Sequence, residues 1–375
     1  MIYLDSAATT LQKPAAVAAA SARAINRLAS PGRGGHRPAM AAADKAYDCR
    51  AAAARLFHMD DPERVVFTFN ATHALNIAIK TLARPGSRVV ISGYEHNAVT
   101  RPLHALEVYL RVARSPLFDQ EALLESFRRE MDQGTDLVVC THVSNVFGFI
   151  LPIEEIARLC REREIPLIVD VSQSAGVLPL DFTALGAAFA AMPGHKGLYG
   201  PQGTGLLLCG ADPAPLLEGG TGSESKRQSM PDFLPDRLEA GTHNIAGIAG
   251  LLEGLRFLER RGVEDIAAHE SMLIRRMGEG LRAIPGIEPF LSPDPAVQAG
   301  VISFRAAGRD CEEMGDILGS RGIALRAGLH CAPLAHETAG TLETGTLRAS
   351  VSAFNTGREI DKFLQAVRDL AARKR

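Results

Sequence analysis

The 375-residue sequence is defined first by what it lacks. It has no dense block of lysine and arginine. Its 41 basic residues stand against 43 acidic ones, and the formal net charge of -2 argues against a nucleic-acid-binding surface. The short "ARKR" end is expected only to solubilise a terminal helix. The six cysteines, Cys49, Cys140, Cys160, Cys209, Cys311 and Cys331, have no C-x-x-C spacing. That disfavours a zinc cluster and a disulfide framework and points to a reducing compartment. No apolar run reaches the roughly 18 residues that would cross a bilayer. The start, "MIYLDSAATT", has neither a basic nor an apolar leader region, so no signal peptide and a cytoplasmic location are expected. No internal repeat is visible, and the first strand–helix turn lacks the glycine fingerprint of a nucleotide-binding oxidoreductase.

What is present suits a large core. Hydrophobic residues make up 46% of the chain, and the length accommodates one large α/β domain with a smaller companion. Helical spacing runs from Pro14 to Leu28 and from Met40 to Phe57, with "SPGRGG" breaking the two. Strand and helix patterns then alternate: "RVVFTF", "ATHALNIAIKTLA", "SRVVIS", "NAVTRPLHALEVYL", "DLVVCTHVS", "IEEIARLCRERE", "PLIVDVS", "GAAFAAM" and "TGLLLCG". Continuous apolar strands between helices imply a mostly parallel sheet covered on both faces. From about residue 246 two long helical stretches precede "GVISFRA", "IALRAG" and "GTLRASV", the texture of an α+β unit. The expected division is 15–245 for the large domain and 246–375, with 1–14, for the small one. The polar stretch "EGGTGSESKRQSMPDFLPDRLEAGTHN" is expected to be a long functional loop.

Ligands of open parallel sheets bind at the carboxyl ends of the strands. Residues placed there include Asn70, Ala71 and Thr72, then Glu95, His96 and Asn97, then Asn145, Asp170 and Gln173, and finally His195 and Lys196. Singly, each has an ordinary explanation: Asn70 or Thr72 can simply cap a helix, and a lone histidine is usually structural. Together they offer a helix start for a phosphate, a stackable ring, a buried carboxylate and a lysine. An aspartate ending an apolar strand is costly unless something cationic meets it. Pyridoxal 5'-phosphate uses all four features. A desolvated lysine amine condenses with it, and a carboxylate keeps its ring nitrogen protonated. The "MPGHKGLYGPQGTG" stretch would then be a close-packed cradle that lets Lys196 move.

The motifs "YLDSAATT", "SNVFG", "VDVSQSAG", "GHKGLYGPQGTG", "LEAGTHN", "RAGLHCAPLAH" and "LRASVSAFNT" occur in one order over nearly the whole chain. In this the sequence resembles the class V aminotransferase group and, within it, the cysteine desulfurases with a short arm around the nucleophile. The resemblance implies the fold type I of pyridoxal-phosphate-dependent transferases and a homodimer. It gives Lys196 the cofactor, His96 a place on its ring, Asp170 the ring nitrogen, and Gln173 and Asn145 the phenolic oxygen. Thr72 and His195 would bind phosphate, with Thr242 reaching it from the partner subunit. Arg348, Asn145 and Arg326 would serve the substrate. Cys331 would be the nucleophile that takes sulfur from L-cysteine, leaves alanine and passes the persulfide sulfur to an acceptor protein, as in iron–sulfur cluster assembly. Arg326 and His330 would raise its thiolate fraction by positive charge.

Three departures from the family pattern stand out. Met192, Pro193 and Gly194 replace the usual serine before the lysine, "NATH" replaces a Gly-Thr-Thr-acid run, and Leu329 stands where relatives carry histidine. Selenocysteine lyase, cysteine sulfinate desulfinase, another aminotransferase-like activity and an idle scaffold of the same fold are the rival readings. A metal site of His330, Cys331 and His336 lacks a further ligand cluster.

Overall fold

The computed structural model describes residues 1–32, 34–131 and 134–372, so Arg33 of the "SPGRGG" break and all but the first residue of "ARKR" lie outside it. After β1 (Ile2–Tyr3) come β2 (Val65–Thr68), β3 (Arg88–Ser92), β4 (Tyr109–Ala113), β5 (Leu137–Thr141), β6 (Leu167–Asp170), β7 (Phe189–Pro193) and β8 (Gly205–Cys209). Strands β2 to β8 form one sheet in the order β2-β8-β7-β6-β5-β3-β4. Only β8 runs against its neighbours. The pairs from β7 across to β4 are parallel.

Side-chain alternation sends each strand into two cores. Along β5, Val138 and Cys140 join one hydrophobic cluster, whereas Leu137 and Val139 join the other. Helices 37–56, 120–131, 153–162 and 245–261 cover the first face, and helices 71–82 and 97–105 cover the second. Burial of both faces explains why these strands read as unbroken apolar runs.

The remaining strands are β9 (Ile287–Pro289), β10 (Val301–Ala306), β11 (Ile323–Ala324), β12 (Arg326–Gly328) and β13 (Thr346–Ser350). Four of them form an antiparallel sheet, β12-β13-β10-β9, while β1 pairs in parallel with β11. Helices 263–282, 311–320 and 357–371 pack a separate cluster onto this sheet, and Leu4 is buried in it. Helix 245–261 instead places Leu251, Leu252 and Leu255 in the large cluster. We therefore propose that the large unit extends through Arg261, past the expected boundary at 245.

Two elements differ from the pattern reading. The stretch "NAVTRPLHALEVYL" is a helix only over Asn97–Ala105. Glu107 then takes a φ of 53°, which ends the helix, and Tyr109–Ala113 is the edge strand β4. Helix Gln120–Met131 is an additional element that the alternation did not mark. No helix or strand is assigned within 218–244, in keeping with the expected loop.

The architecture brings the carboxyl ends of β2, β3, β5, β6 and β7 to one edge. Strand order reverses between β3 and β5, the switch point at which such sheets bind ligands.

Candidate active site

A cleft of about 540 Å³, counting its open mouth, lies on that edge. Asn70, Thr72, His96, Asn145, Asp170, Gln173, His195 and Lys196 all line it. The strand ends thus bring together eight of the polar residues singled out from sequence.

Each is set by a local feature. Asn70 precedes helix 71–82 and its side chain accepts the His73 N–H at 2.9 Å. This cap leaves the amides of the first turn, Ala71 and Thr72, without intrahelical acceptors. His96 caps helix 97–105: its Nδ1 accepts the Ala98 N–H at 3.0 Å, so the ring proton sits on Nε2. Burial lowers the His96 pKa, with Asp170 opposing, and the ring is held neutral. Asp170 ends β6, is 3% exposed, and accepts the Ser172 N–H on Oδ1 at 2.9 Å. Gln173 donates to the Ala7 carbonyl at 3.1 Å.

Lys196 follows β7 in a turn of close backbone approaches. The Gly194 N–H donates to Thr204 O at 2.8 Å, and Gly200 N–H to Gly194 O at 2.7 Å. A Cβ on Gly197 would clash with the Ala175 carbonyl, and one on Gly194 with the Thr204 hydroxyl. At Gly197 the obstacle is backbone, so glycine is required there. The Lys196 amine lies deep among protein atoms, and desolvation brings its pKa down to about 8 despite Asp170. His195 lies beside Thr9, Nδ1 to Oγ1 3.0 Å, and burial lowers it to about 4, so it is neutral. The His195 carbonyl accepts from Lys13 Nζ at 3.1 Å.

Behind Asp170 sits Glu95, fully buried. Ser92 Oγ donates to its Oε1 at 2.5 Å and the Thr141 N–H at 2.8 Å, while Oε2 has no partner among the described residues. Desolvation raises its pKa to about 8, so it is protonated at neutral pH.

Cys331 lies on a four-residue turn closed by the Ala332 N–H on the Leu329 carbonyl at 2.9 Å. His330 and Cys331 both have positive φ, 50° and 56°, as in the primed turns that favour glycine and asparagine. Two bonds tie this turn to the cleft. The Asn97 N–H donates to the Cys331 carbonyl at 2.8 Å, and Asn145 Nδ2 donates to the His330 carbonyl at 2.8 Å. Cys331 is exposed, whereas the other five cysteines are buried. Arg348, on β13, is 2% exposed; its Nη1 donates to the Asn145 carbonyl at 2.9 Å and its Nη2 to Asp5 at 2.8 Å. Its buried Nε has no partner among the described residues.

His330 corrects one expectation. Desolvation and the nearby Arg348 push its pKa to about 2, so it adds no positive charge beside Cys331. Arg348 and Arg326, directly opposite one another on β13 and β12, are the cations of this region. Arg326 is exposed on that strand, and neither arginine lines the cleft itself. Thr242 is exposed on the long loop and does not line its own chain's cleft. Among the described residues, no group of three or more His, Cys, Asp or Glu is arranged to hold a metal ion. No helix among them is long and apolar enough to cross a membrane.

Sequence reading missed Asp5 as the partner of Arg348. It lay inside the quoted "YLDSAATT", but nothing local signals a contact across 343 positions. Glu95 stood in the inspected set without a role; its place after an apolar strand was the available signal.

The family model for class-V aminotransferases matches residues 2–363. A protein of Methanothermobacter thermautotrophicus named "Probable cysteine desulfurase" is 34% identical, over 99% of this chain and 94% of that one. Among solved structures, the apo cysteine desulfurase of Thermococcus onnurineus has a TM-score of 0.90 at 30% identity, covering 99% and 94% of the two chains. The S-sulfonic acid form of an Escherichia coli cysteine desulfurase has a TM-score of 0.86 at 26% identity, covering 98% and 94%. With its mostly parallel sheet, its glycine-framed lysine after β7 and these full-length matches, the chain belongs to the class-V aminotransferase family and, within it, to the cysteine desulfurases.

Proposed function

We propose that the chain is a pyridoxal 5'-phosphate-dependent desulfurase that converts L-cysteine to L-alanine and retains the sulfur as a persulfide on Cys331. The observation that carries this reading is that Cys331, alone of six cysteines exposed, is bonded through its turn to two residues beside the cleft. A buried thiol could not hand sulfur to another protein.

The cleft's donor set fits the cofactor. It combines an amine lowered to about 8, a buried carboxylate, a neutral imidazole and free amides at a helix start. Lys196 would carry it, Asp170 would face its ring nitrogen, His96 its ring, and Gln173 and Asn145 its phenolic oxygen. Thr72 and His195 would take its phosphate, with Thr242 contributed by the partner of a homodimer. Neutral His195 brings no charge to that phosphate. When bound, the cofactor supplies a carbonyl carbon for the amine and a ring that accepts electron density from the substrate α-carbon.

The chain's own residues do the rest. Arg348, joined to Asn145 through that residue's carbonyl, would with it bind the substrate carboxylate. Arg326, opposite Arg348 on the neighbouring strand, would add positive charge that favours the substrate carboxylate. The Lys196 amine, partly neutral near pH 8, takes the α-proton. The Cys331 thiolate then attacks the substrate sulfur. An S–S bond forms, the substrate C–S bond breaks with its electron pair left on the β-carbon, that carbon takes a proton, and Lys196 returns the α-proton to complete alanine. An acceptor-protein thiol removes the terminal sulfur, in the cytoplasm and for uses such as iron–sulfur cluster assembly.

Single-turnover alanine release from L-cysteine tests this, with and without reductant, for the wild type and Cys331→Ala. Alanine from the wild type alone, with sulfide only after reductant, is the expected outcome. No alanine from a cofactor-loaded wild type would remove cysteine as substrate and turn attention to selenocysteine, cysteine sulfinate and ordinary amino donors.

A further inference from the structure

A second, smaller pocket shares Ser172, Gln173 and Lys196 with the cleft and runs from them to helix 263–282. At about 30 Å³ it has room for about two water molecules, and its walls include Ser6, Tyr199 and Ser352. At the far wall is Glu270, 3% exposed, with no ion pair or hydrogen bond among the described residues. A Cβ on Gly300 would strike the Glu270 carboxyl, so glycine there leaves the acid room at the pocket wall.

A buried carboxyl with no protein partner is a stability cost that an apolar side chain would avoid. Its position in a water-sized channel ending at the lysine offers a reason for it. We propose that Glu270 is a positioning residue for Lys196: through water in this pocket it lends a proton to the amine and takes it back. The step balances without a co-reactant. The carboxyl O–H bond breaks and an N–H bond forms on Lys196 by relay through water, leaving carboxylate and ammonium, and the reverse transfer restores both.

Three facts support the relay. Burial holds Glu270 at about 8 and Lys196 at about 8, so the proton moves between groups of similar affinity. Tyr199, which also lines the pocket, accepts the Ala353 N–H at 3.0 Å and keeps its own proton to donate. Lys196 and Tyr199 are the titratable groups sharing this pocket with Glu270, since the adjacent His269 is turned to the Asn355 carbonyl at 2.9 Å.

The inference rests on the reading of Lys196 as the proton-carrying amine, and the experiment separates the two. In cofactor-free protein, the infrared carbonyl bands of protonated carboxyls should include that of Glu95 and a second one, which is lost in Glu270→Gln and shifts in Lys196→Met. In the holoenzyme, Glu270→Gln should lower kcat for alanine about tenfold with KM within twofold, and Glu270→Asp should recover part of the loss. The melting temperature of Glu270→Gln should equal or exceed the wild type's, which checks folding. An infrared band indifferent to Lys196→Met, or an unchanged kcat in Glu270→Gln, overturns the relay. A wild type that releases no alanine defeats the desulfurase reading, while the infrared coupling still decides the link between Glu270 and Lys196.

Discussion

Lys196 and Cys331 are held in opposite ways. The lysine turn is packed backbone against backbone, with glycines where any side chain would clash, and the His195 carbonyl beside it takes bonds from Thr9, Thr10 and Lys13. The cysteine turn stands at the surface, puts two non-glycine residues at positive φ, and is tied to the cleft through two carbonyl bonds. Left-handed backbone costs of order 1–3 kcal/mol per residue and persists only where its surroundings enforce it. The difference follows from the two tasks: a group that must meet a bound molecule at a fixed place is half-buried and closely packed, whereas one that must give up an atom to a partner is exposed and lightly tethered.

The largest expected break of this comparison is Lys196→Met. Turnover should fall by at least ~10³-fold, because the amine is both attachment point and base. Stability of the cofactor-free protein should rise. The folded pKa near 8 lies below the unfolded value of 10.5, so burying the charged form is unfavourable at and below pH 8. Methionine should gain up to about 3 kcal/mol at pH 7, and the gain should shrink as pH rises from about 8 to about 10.5. Urea denaturation across that range measures it, and a pH-independent difference would count against a desolvated amine.

A matched pair sharpens the contrast at smaller amplitude. Gly197→Ala forces a methyl onto the Ala175 carbonyl and should cost about 1–3 kcal/mol. Leu329→Ala, on the exposed shoulder of the cysteine turn, should stay within about 0.5 kcal/mol. Equal costs in urea titrations of the two would erase the proposed difference between cradle and tether.

The cradle was legible in sequence and the tether was not, for a physical reason. Parallel-sheet folds put ligands at strand ends, so Asp170, His195 and Lys196 could be found from the apolar runs before them. Strand β8 reads the same whether parallel or antiparallel, since both arrangements bury its apolar run. Strand β4 was absorbed into the preceding helix because Leu103 and Leu106 carry helical spacing into it, and the stop, Glu107 at positive φ, is no glycine. The bonds from Asn97 and Asn145 to the cysteine turn, and from Asp5 to Arg348, join residues 185 to 343 positions apart or act through backbone alone. Glu270 looks like an ordinary charge on an amphipathic helix until its surroundings are known.

Asn145→Leu, with a smaller effect than the cradle variants, is the closest test of the tether. The substitution keeps the backbone carbonyl that accepts from Arg348 but removes the amide that holds the His330 carbonyl. One neutral hydrogen bond contributes about 1 kcal/mol, which opens the turn roughly fivefold more often. Two residues at positive φ favour that opening, since release lets both relax. Alkylation of Cys331 in cofactor-free protein should therefore quicken by about that factor, while the melting temperature moves by only a few degrees. An unchanged alkylation rate would mean that the turn holds itself, and the sulfur-carrying cysteine would then be as firmly built as the lysine cradle.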